Sequence, residues 1–258
     1  MKIIVCIKEV PDTTEIKTDP ETNTLIRAGV KSIISPFDMY AIEEGIRLKE
    51  RLGGEVIVLS MGPAQAEKSL REAISLGADE AILLCDRKFG GADTLATSYT
   101  LAQGIKKIDG YDIIICGKQA ADGDTAQVGP EVSVWLNIPQ IAYVSKIEQV
   151  EQERIKVRRM SEEGYEVIQA KLPCLITVVK EINEPRLPSL KGKMRAKKAE
   201  IKKWTLEDIN ADREKTGLKG SPTQVKRIFS PPQREKGKIF EGDAEEIVKE
   251  MAEVLRSI

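Results

Sequence analysis

Four short aliphatic runs constrain this chain more than any other feature: Ile3–Ile7, Val56–Leu59, Ala81–Cys85 and Ile113–Cys116. Each is too short for a buried helix and rich in aliphatic, often β-branched residues, so each reads as a strand buried on both faces. Helix-period stretches separate them, which predicts βαβ units. The first stretch opens with Ser35 as N-cap, Pro36 at the first helical position and Asp38 in the first turn. Ala41, Gly45, Leu48 and Leu52 then keep one face, and Gly53-Gly54 ends it. The second starts at Pro63, sets Ala66, Leu70 and Ala73 on one side and stops at Gly77, and a third is expected between Ala92 and Lys107. The fold class is α/β: a doubly wound, mostly parallel sheet to about Pro139.

Beyond Pro139 the period changes. Ile155–Arg159 and Tyr165–Gln169 alternate around the turn Ser161-Glu-Glu-Gly164, which predicts a β-hairpin extension. Leu175–Val179 reads as another buried strand. From Arg186 to Lys203 the chain carries eight Lys or Arg against one Glu. Gly217–Lys238 is polar and punctuated by Gly and Pro, so it reads as an extended arm. Asp243 and Glu246 open a final helix whose Ile247, Met251, Val254 and Leu255 form an apolar stripe. The expected organisation is a nucleotide-binding α/β domain with its hairpin at 1–183, then a docking loop, arm and C-terminal helix at 184–258. A helix beyond a long arm needs something to pack on: another subunit is the expected partner, with its own domain as the alternative.

Composition removes whole classes of chemistry. The chain has 258 residues and no histidine, which excludes a Ser-His-Asp triad, a His general base and any His-containing zinc site. Forty Lys plus Arg balance 41 Asp plus Glu, so charge points to neither nucleic acid nor a membrane surface. Cys6, Cys85, Cys116 and Cys174 form no CxxC pair and read as reduced structural thiols. Met1 runs straight into a core strand and no apolar run approaches membrane length, which predicts a cytoplasmic protein without membrane insertion.

Open parallel sheets bind ligands at the carboxyl ends of their strands, where connections diverge. Lys8–Asp12, Ser60–Pro63 and Gly117–Thr125 all follow strand ends and can converge on one crevice. The stretch Gly117-Lys-Gln-Ala-Ala-Asp-Gly-Asp-Thr-Ala-Gln-Val-Gly-Pro130 leaves a strand and opens a helix, which brings backbone N–H groups to a positive helix end. Asp122 and Asp124 oppose bare phosphate and suit a ribose, a metal or the backbone, while Thr125 and Gln127 add neutral donors. The spacing is neither GxGxxG nor Walker, and it serves an ordinary strand-to-helix turn equally well.

The same loop resembles the nucleotide-binding loop of electron-transfer flavoprotein beta subunits. Met1–Lys8 is similar to that family's opening strand, Ser35–Asp38 with Ala41–Glu44 to its first helix, and Met61–Gln65 to the turn after its second strand. Leu172-Pro173, Asn183–Arg186 and Met194–Lys198 resemble later segments. The resemblance implies an adenine-nucleotide crevice lined by Cys6, Lys8, Ser35, Pro36, Phe37, Asp38, Met61, Gly117, Lys118, Gln119, Ala120, Asp122, Gly123, Asp124, Thr125, Ala126, Gln127, Val128 and Gly129. For Cys6 and Met61 plain core packing is the competing reading. The run from Val157 to Tyr165 resembles a segment meeting flavin near the subunit junction, which implicates Arg159 in tuning a reduced flavin. Its neighbour Arg158 reads as surface. Leu190, Lys191, Lys193, Met194 and Arg195 resemble a recognition loop in which a leucine anchors in the acceptor and cations steer the encounter. A solvated basic linker is the alternative.

Family members come in two kinds. In conventional ones the beta subunit holds AMP and a single FAD sits mainly on the alpha subunit. In electron-bifurcating ones the crevice holds a second FAD that takes hydride from NADH. Asp122–Gly129, Gly164-Tyr165-Glu166 and Pro173-Cys174-Leu175 resemble the second kind. The expectation is therefore FAD, with AMP as alternative, and NADH as donor. The implied partners are an alpha subunit, ferredoxin and an acyl-CoA dehydrogenase-like or lactate dehydrogenase-like flavoenzyme. A non-redox adenine-nucleotide sensor shares the α/β plan and stands as the alternative from another class.

Overall fold

The computed structural model describes residues 1–12, 31–226, 237 and 239–256. They fall into two compact units: the first runs to Lys226 and the second holds the described residues beyond it. In chain order the first unit contains β1 (Lys2–Cys6), β2 (Glu9–Pro11), β3 (Ser32–Ile34), α1 (Pro36–Leu52), β4 (Glu55–Met61), α2 (Glu67–Leu76), β5 (Glu80–Leu84), α3 (Thr94–Ile108) and β6 (Ile113–Gly117). It continues with α4 (Val128–Leu136), β7 (Gln140–Val150), β8 (Arg154–Ser161), β9 (Gly164–Lys171), β10 (Cys174–Val178), α5 (Leu190–Lys198) and β11 (Lys202–Trp204).

Nine of these strands form one sheet in the order β11-β5-β4-β1-β6-β10-β7-β8-β9, and β2 and β3 form a separate antiparallel pair. Within the large sheet, β11 through β7 run parallel and the β7–β8–β9 meander is antiparallel. From β1 the chain winds outward through β4 and β5, then crosses back to place β6 on the other side of β1. The doubly wound α/β expectation holds, and the topological switch lies between β1 and β6.

Strand alternation divides the core. Ile3, Val5, Val56, Val58 and Leu83 face α1 and α2, packing on Ile42, Ile46, Leu70 and Ile74. Ile4, Cys6, Leu59, Leu84 and Cys116 face the other side with Tyr99, Leu101, Ile105 and Val132 of α3 and α4. Each such aliphatic side chain, fully withdrawn from water, contributes roughly 1.5–3 kcal/mol. Leu52 departs from the expected apolar face: in the last turn of α1 it is 41% exposed.

Strand β7, eleven residues long, has no counterpart in the sequence reading. Its pattern is broken by exposed Lys146, Glu148 and Gln149 and by two register shifts against β8, so alternation fails as a signal there. The basic stretch after Arg186, expected as a docking loop, folds into regular elements. Residues 190–198 form α5, and Lys202–Trp204 adds an edge strand whose lysines suit an unpaired border. Residues 217–226 pack too: Leu218 N–H donates to Gly90 O at 3.0 Å, and the Thr223 hydroxyl donates to Asp93 at 2.9 Å. The remainder of the expected arm, 227–236 and 238, lies outside the described residues.

The turn into α5 is pinned by ions. Arg186 donates to Glu43 at 2.7 Å and to Glu50 at 2.6 Å, and the Asn183 amide donates to Glu44 at 3.0 Å. Burial pushes the Glu43 carboxyl up, but bonds from Arg186 and Arg47 outweigh it and leave it below its ordinary value. The stability this lowering contributes is present above the unfolded carboxylate pKa of about 4.3 and is lost as pH falls through the lower folded value. Arg186→Ala is expected to cost about 2 kcal/mol in urea unfolding at pH 7, because a buried carboxylate loses its main partner. An unchanged midpoint would show the clamp to be ornamental.

In the second unit, α6 (Ala244–Arg256) is capped as the sequence predicts: Asp243 accepts from the Glu245 and Glu246 N–H groups at 3.0 and 3.1 Å. No residue of its apolar stripe is fully buried: Met251 and Leu255 are 45% and 66% exposed, and Ile247 and Val254 are half-buried.

Candidate functional site

The switch between β1 and β6 gathers most of the expected nucleotide residues. Cys6 lies directly across from Cys116 at the strand ends. Lys8 follows β1, Met61 ends β4, and Gly117 ends β6. The first turn of α1 is wedged between these exits. Its Asp38 carboxylate accepts from Lys8 N–H at 2.8 Å and from Gly117 N–H at 3.2 Å. One side chain thus ties together the two strands that flank the crevice.

Ser35 takes the N-cap position of α1, but its hydroxyl does not cap the helix. It is fully buried and accepts from Ala121 N–H at 3.3 Å, so it holds the Gly117–Gly129 loop instead. Lys8 Nζ reaches across to Asp122 Oδ1 at 2.6 Å. Gln119 donates to Asp124, and Asp124 N–H donates to Ala120 O at 2.9 Å. Lys118 N–H donates to Val178 O at 2.9 Å, and its ammonium lies 5.4 Å from the Tyr143 ring centroid. Pro36 is exposed and Phe37 half-buried at the rim.

Two glycines in this region are dictated by close approach. A Cβ on Gly117 would overlap Asp38 Oδ1 and lie 2.7 Å from the Phe37 carbonyl carbon. A Cβ on Gly129 would lie 2.8 Å from Thr177 Cγ2, so glycine lets the start of α4 lie against β10. Gly123 is different: nothing lies within 4 Å of its added Cβ. The loop also stores strain. Asp124 and Ala126 hold φ of 51° and 56°, a left-handed conformation costing roughly 1–2 kcal/mol for a non-glycine residue. Left-handed residues set among right-handed ones are the backbone pattern of anion-receiving turns, and here the Asp124 N–H is already taken by Ala120 O. No side chain caps α4 at Gln127, so its first N–H groups remain open. Thr125 and Gln127 are exposed beside it. These residues fit the phosphates and ribose of an adenine nucleotide.

Electrostatically the crevice floor is unusual. Burial pushes the Asp38 carboxyl up to about 7 despite the two N–H bonds and nearby Lys8. Its folded value exceeds the unfolded one, so the fold prefers the protonated form. Stability from this group falls as pH rises from about 4 to about 7, by roughly 4 kcal/mol in all. The Cys116 thiol is raised by its hydrogen bond with Cys6 and by burial, and burial pushes Cys174 up to about 12. All four cysteines are free, and these two are held as thiols, which suits packing rather than nucleophilic chemistry.

The remaining expected residues stand apart from this crevice. Arg159 lies on β8, four strand positions from β1 and so roughly 19 Å away at sheet spacing. Its guanidinium is 3.6 Å from Glu166, and its Nε is buried without a hydrogen-bond partner. Arg158, read from sequence as surface, also has a buried, unbonded Nε and lies over Tyr165 at 5.2 Å. On α5, Leu190 and Met194 are 77% and 58% exposed, and Lys191 and Lys193 are exposed beside them. Arg195 turns inward, donating to Ile74 O at 2.8 Å and Ala78 O at 2.6 Å, so it anchors α5 to α2. Sequence reasoning missed Tyr143, held at φ 62° beside Lys118, because it lies in the unrecognised β7. It also missed Thr94, which donates to Glu131 at 3.1 Å where α3 and α4 begin. No local motif marks either.

A family profile described as the electron transfer flavoprotein domain matches residues 22–209. The electron transfer flavoprotein subunit beta of Thermoanaerobacterium thermosaccharolyticum is 52% identical over 258 residues, covering 100% of this chain and 98% of its own. The caffeyl-CoA reductase-Etf complex subunit CarD of Acetobacterium woodii is 52% identical over 243 residues, 94% of this chain and 92% of its own. Protein FixA of Bradyrhizobium diazoefficiens is 48% identical over 241 residues, 91% and 84% respectively. Near-complete coverage at half identity, on a chain that folds its most distinctive loop into the switch crevice of a doubly wound sheet, leaves one conclusion: this chain belongs to the electron transfer flavoprotein family, among its beta subunits.

Proposed function

We propose that this beta subunit works with an alpha subunit as an electron-bifurcating flavoprotein, holding FAD in the β1–β6 crevice. The observation that carries this reading is the Gly117–Gly129 loop: left-handed at Asp124 and Ala126, unobstructed at Gly123, and leading to an uncapped helix end. Gly123, Ala126 and Val128 leave room that bulkier residues would fill. Lys8, Thr125, Gln127 and the α4 N–H groups would hold the diphosphate and ribose, and Asp38 and Ser35 would hold the loop that holds them. Bound there, FAD would supply redox chemistry that no side chain of this chain offers: two-electron acceptance from NADH and one-electron release, to ferredoxin and, through the alpha-subunit FAD, to an acyl-CoA dehydrogenase-like or lactate dehydrogenase-like flavoenzyme. The relative named for a caffeyl-CoA reductase complex supports a CoA-thioester partner. Exposed Leu190 and Met194 among the α5 cations are the surface for that flavoenzyme.

NADH oxidation by the alpha–beta complex with its flavoenzyme is expected to require both the thioester substrate and ferredoxin, in equal electron shares. Thioester reduction that proceeds at full rate without ferredoxin would defeat bifurcation and leave an AMP-holding, single-flavin shuttle. A low-salt rate that falls about ten-fold or more between 50 and 500 mM salt would mark steering by the α5 cations.

A further inference from the structure

We propose that Asp38 is a positioning residue whose charge sets nucleotide affinity: ionised, its carboxylate holds the Lys8 and Gly117 N–H groups together and so keeps the crevice loop in its receptive shape. The inference rests on the nucleotide reading of that crevice, and goes beyond it in naming the group that controls it.

The geometry is specific to a carboxylate. Two backbone donors from different strands meet the carboxyl oxygens of one side chain, at 2.8 Å and 3.2 Å. A protonated carboxyl accepts strongly only through its carbonyl oxygen, its hydroxyl oxygen being a much weaker acceptor, and an amide turns an N–H2 group towards the second N–H. Gly117 begins the loop, so a lost bond at its N–H is passed directly to Lys118–Gly129. The packing leaves Asp38 no alternative, since it is 6% exposed and the Phe37–Asp38 turn leaves no room for even a Cβ at Gly117. The charged and titratable groups around it are few. Lys8 on the β1 exit favours the ionised form, whereas Asp122 on the loop opposes it. The Cys116 thiol stands on β6 and is held protonated. Burial is the dominant influence and brings the carboxyl's midpoint to about 7. Proton binding therefore falls in the range where a cell's pH varies.

The sign follows. Above neutrality both N–H groups are held and the loop is receptive. Below it one bond is lost, and affinity drops.

The test is FAD binding by the alpha–beta complex from pH 5.5 to 8.5, since the FAD diphosphate does not change charge there. Wild type is expected to bind about ten-fold or more tightly at pH 8.5 than at pH 6, with a midpoint near 7. Asp38→Asn is expected to bind at the weak level throughout, with its Tm at pH 8 not lowered, because the buried charge is gone. Glu44→Gln, at another buried carboxyl of α1 outside the crevice, is expected to keep the step. A flat wild-type profile, a step that survives Asp38→Asn, or a step lost in Glu44→Gln would each overturn the inference. Failure of wild type to bind FAD or AMP at any pH would instead defeat the nucleotide reading beneath it.

Discussion

Gly117→Ala is expected to cost about 1–3 kcal/mol of stability and to empty the crevice of nucleotide. The added methyl cannot be absorbed by a flexible side-chain tip. It meets the Phe37 backbone at 2.7 Å, the Phe37 Cβ at 2.8 Å and the Asp38 carboxylate. Either the first turn of α1 backs away or β6 shifts, and both movements break the Asp38 bridge between the strands. Core packing elsewhere is untouched, so the protein should still fold and its nucleotide content should drop well beyond what the stability loss explains. Gly123→Ala is the matched control, because its new methyl meets nothing within 4 Å. Bound nucleotide measured after purification separates the two. Equal retention in both variants would remove Gly117 from the account of the site.

Gly192→Ala should have the second large effect, at the opposite end of the proposed electron path. Here the methyl would overlap the Ser75 carbonyl and lie 3.1 Å from its carbon, so α5 could not rest on α2. That seat is otherwise well made. Arg71 donates to Ala196 O and Ala199 O at 2.8 and 2.9 Å, and Arg195 returns two bonds to the end of α2. Lifting α5 displaces the exposed Leu190 and Met194 together. The expected outcome is a KM for the acceptor flavoenzyme raised about ten-fold or more, with flavin content unchanged, because anchor residues near an interface centre carry about 2 kcal/mol each. Leu190→Ala should raise KM without altering the fold. A normal KM in both variants would move the docking surface elsewhere.

The parallel core was legible because strands buried on both faces are continuous aliphatic runs, and Ile3–Ile7 or Ile113–Cys116 have no other stable use. The candidate crevice was legible for a related reason: a doubly wound sheet opens where strand order reverses, and Lys8 and Gly117 had to meet there once β1 and β6 were neighbours. What escaped was decided by tertiary context. Strand β7 mixes lysine, glutamate and glutamine with apolar residues because one face is solvated and its register slips twice. Helix α5 reads as a loop because Gly192 and five cations disfavour a free helix, yet that glycine admits the Ser75 carbonyl and Arg195 finds two more. Ser35 shows the same limit at one residue. Its position before Pro36 predicts a cap, but burial turns its hydroxyl towards Ala121, and no local rule reports that.

The most direct test of the central claim is the nucleotide content of the complex formed with the alpha subunit, determined after gentle purification at pH 8. Two FAD per alpha–beta pair and no AMP is the expected result, with one FAD lost selectively in Gly117→Ala. One FAD with one AMP would contradict a second flavin in the β1–β6 crevice and return the chain to the role of a single-flavin shuttle.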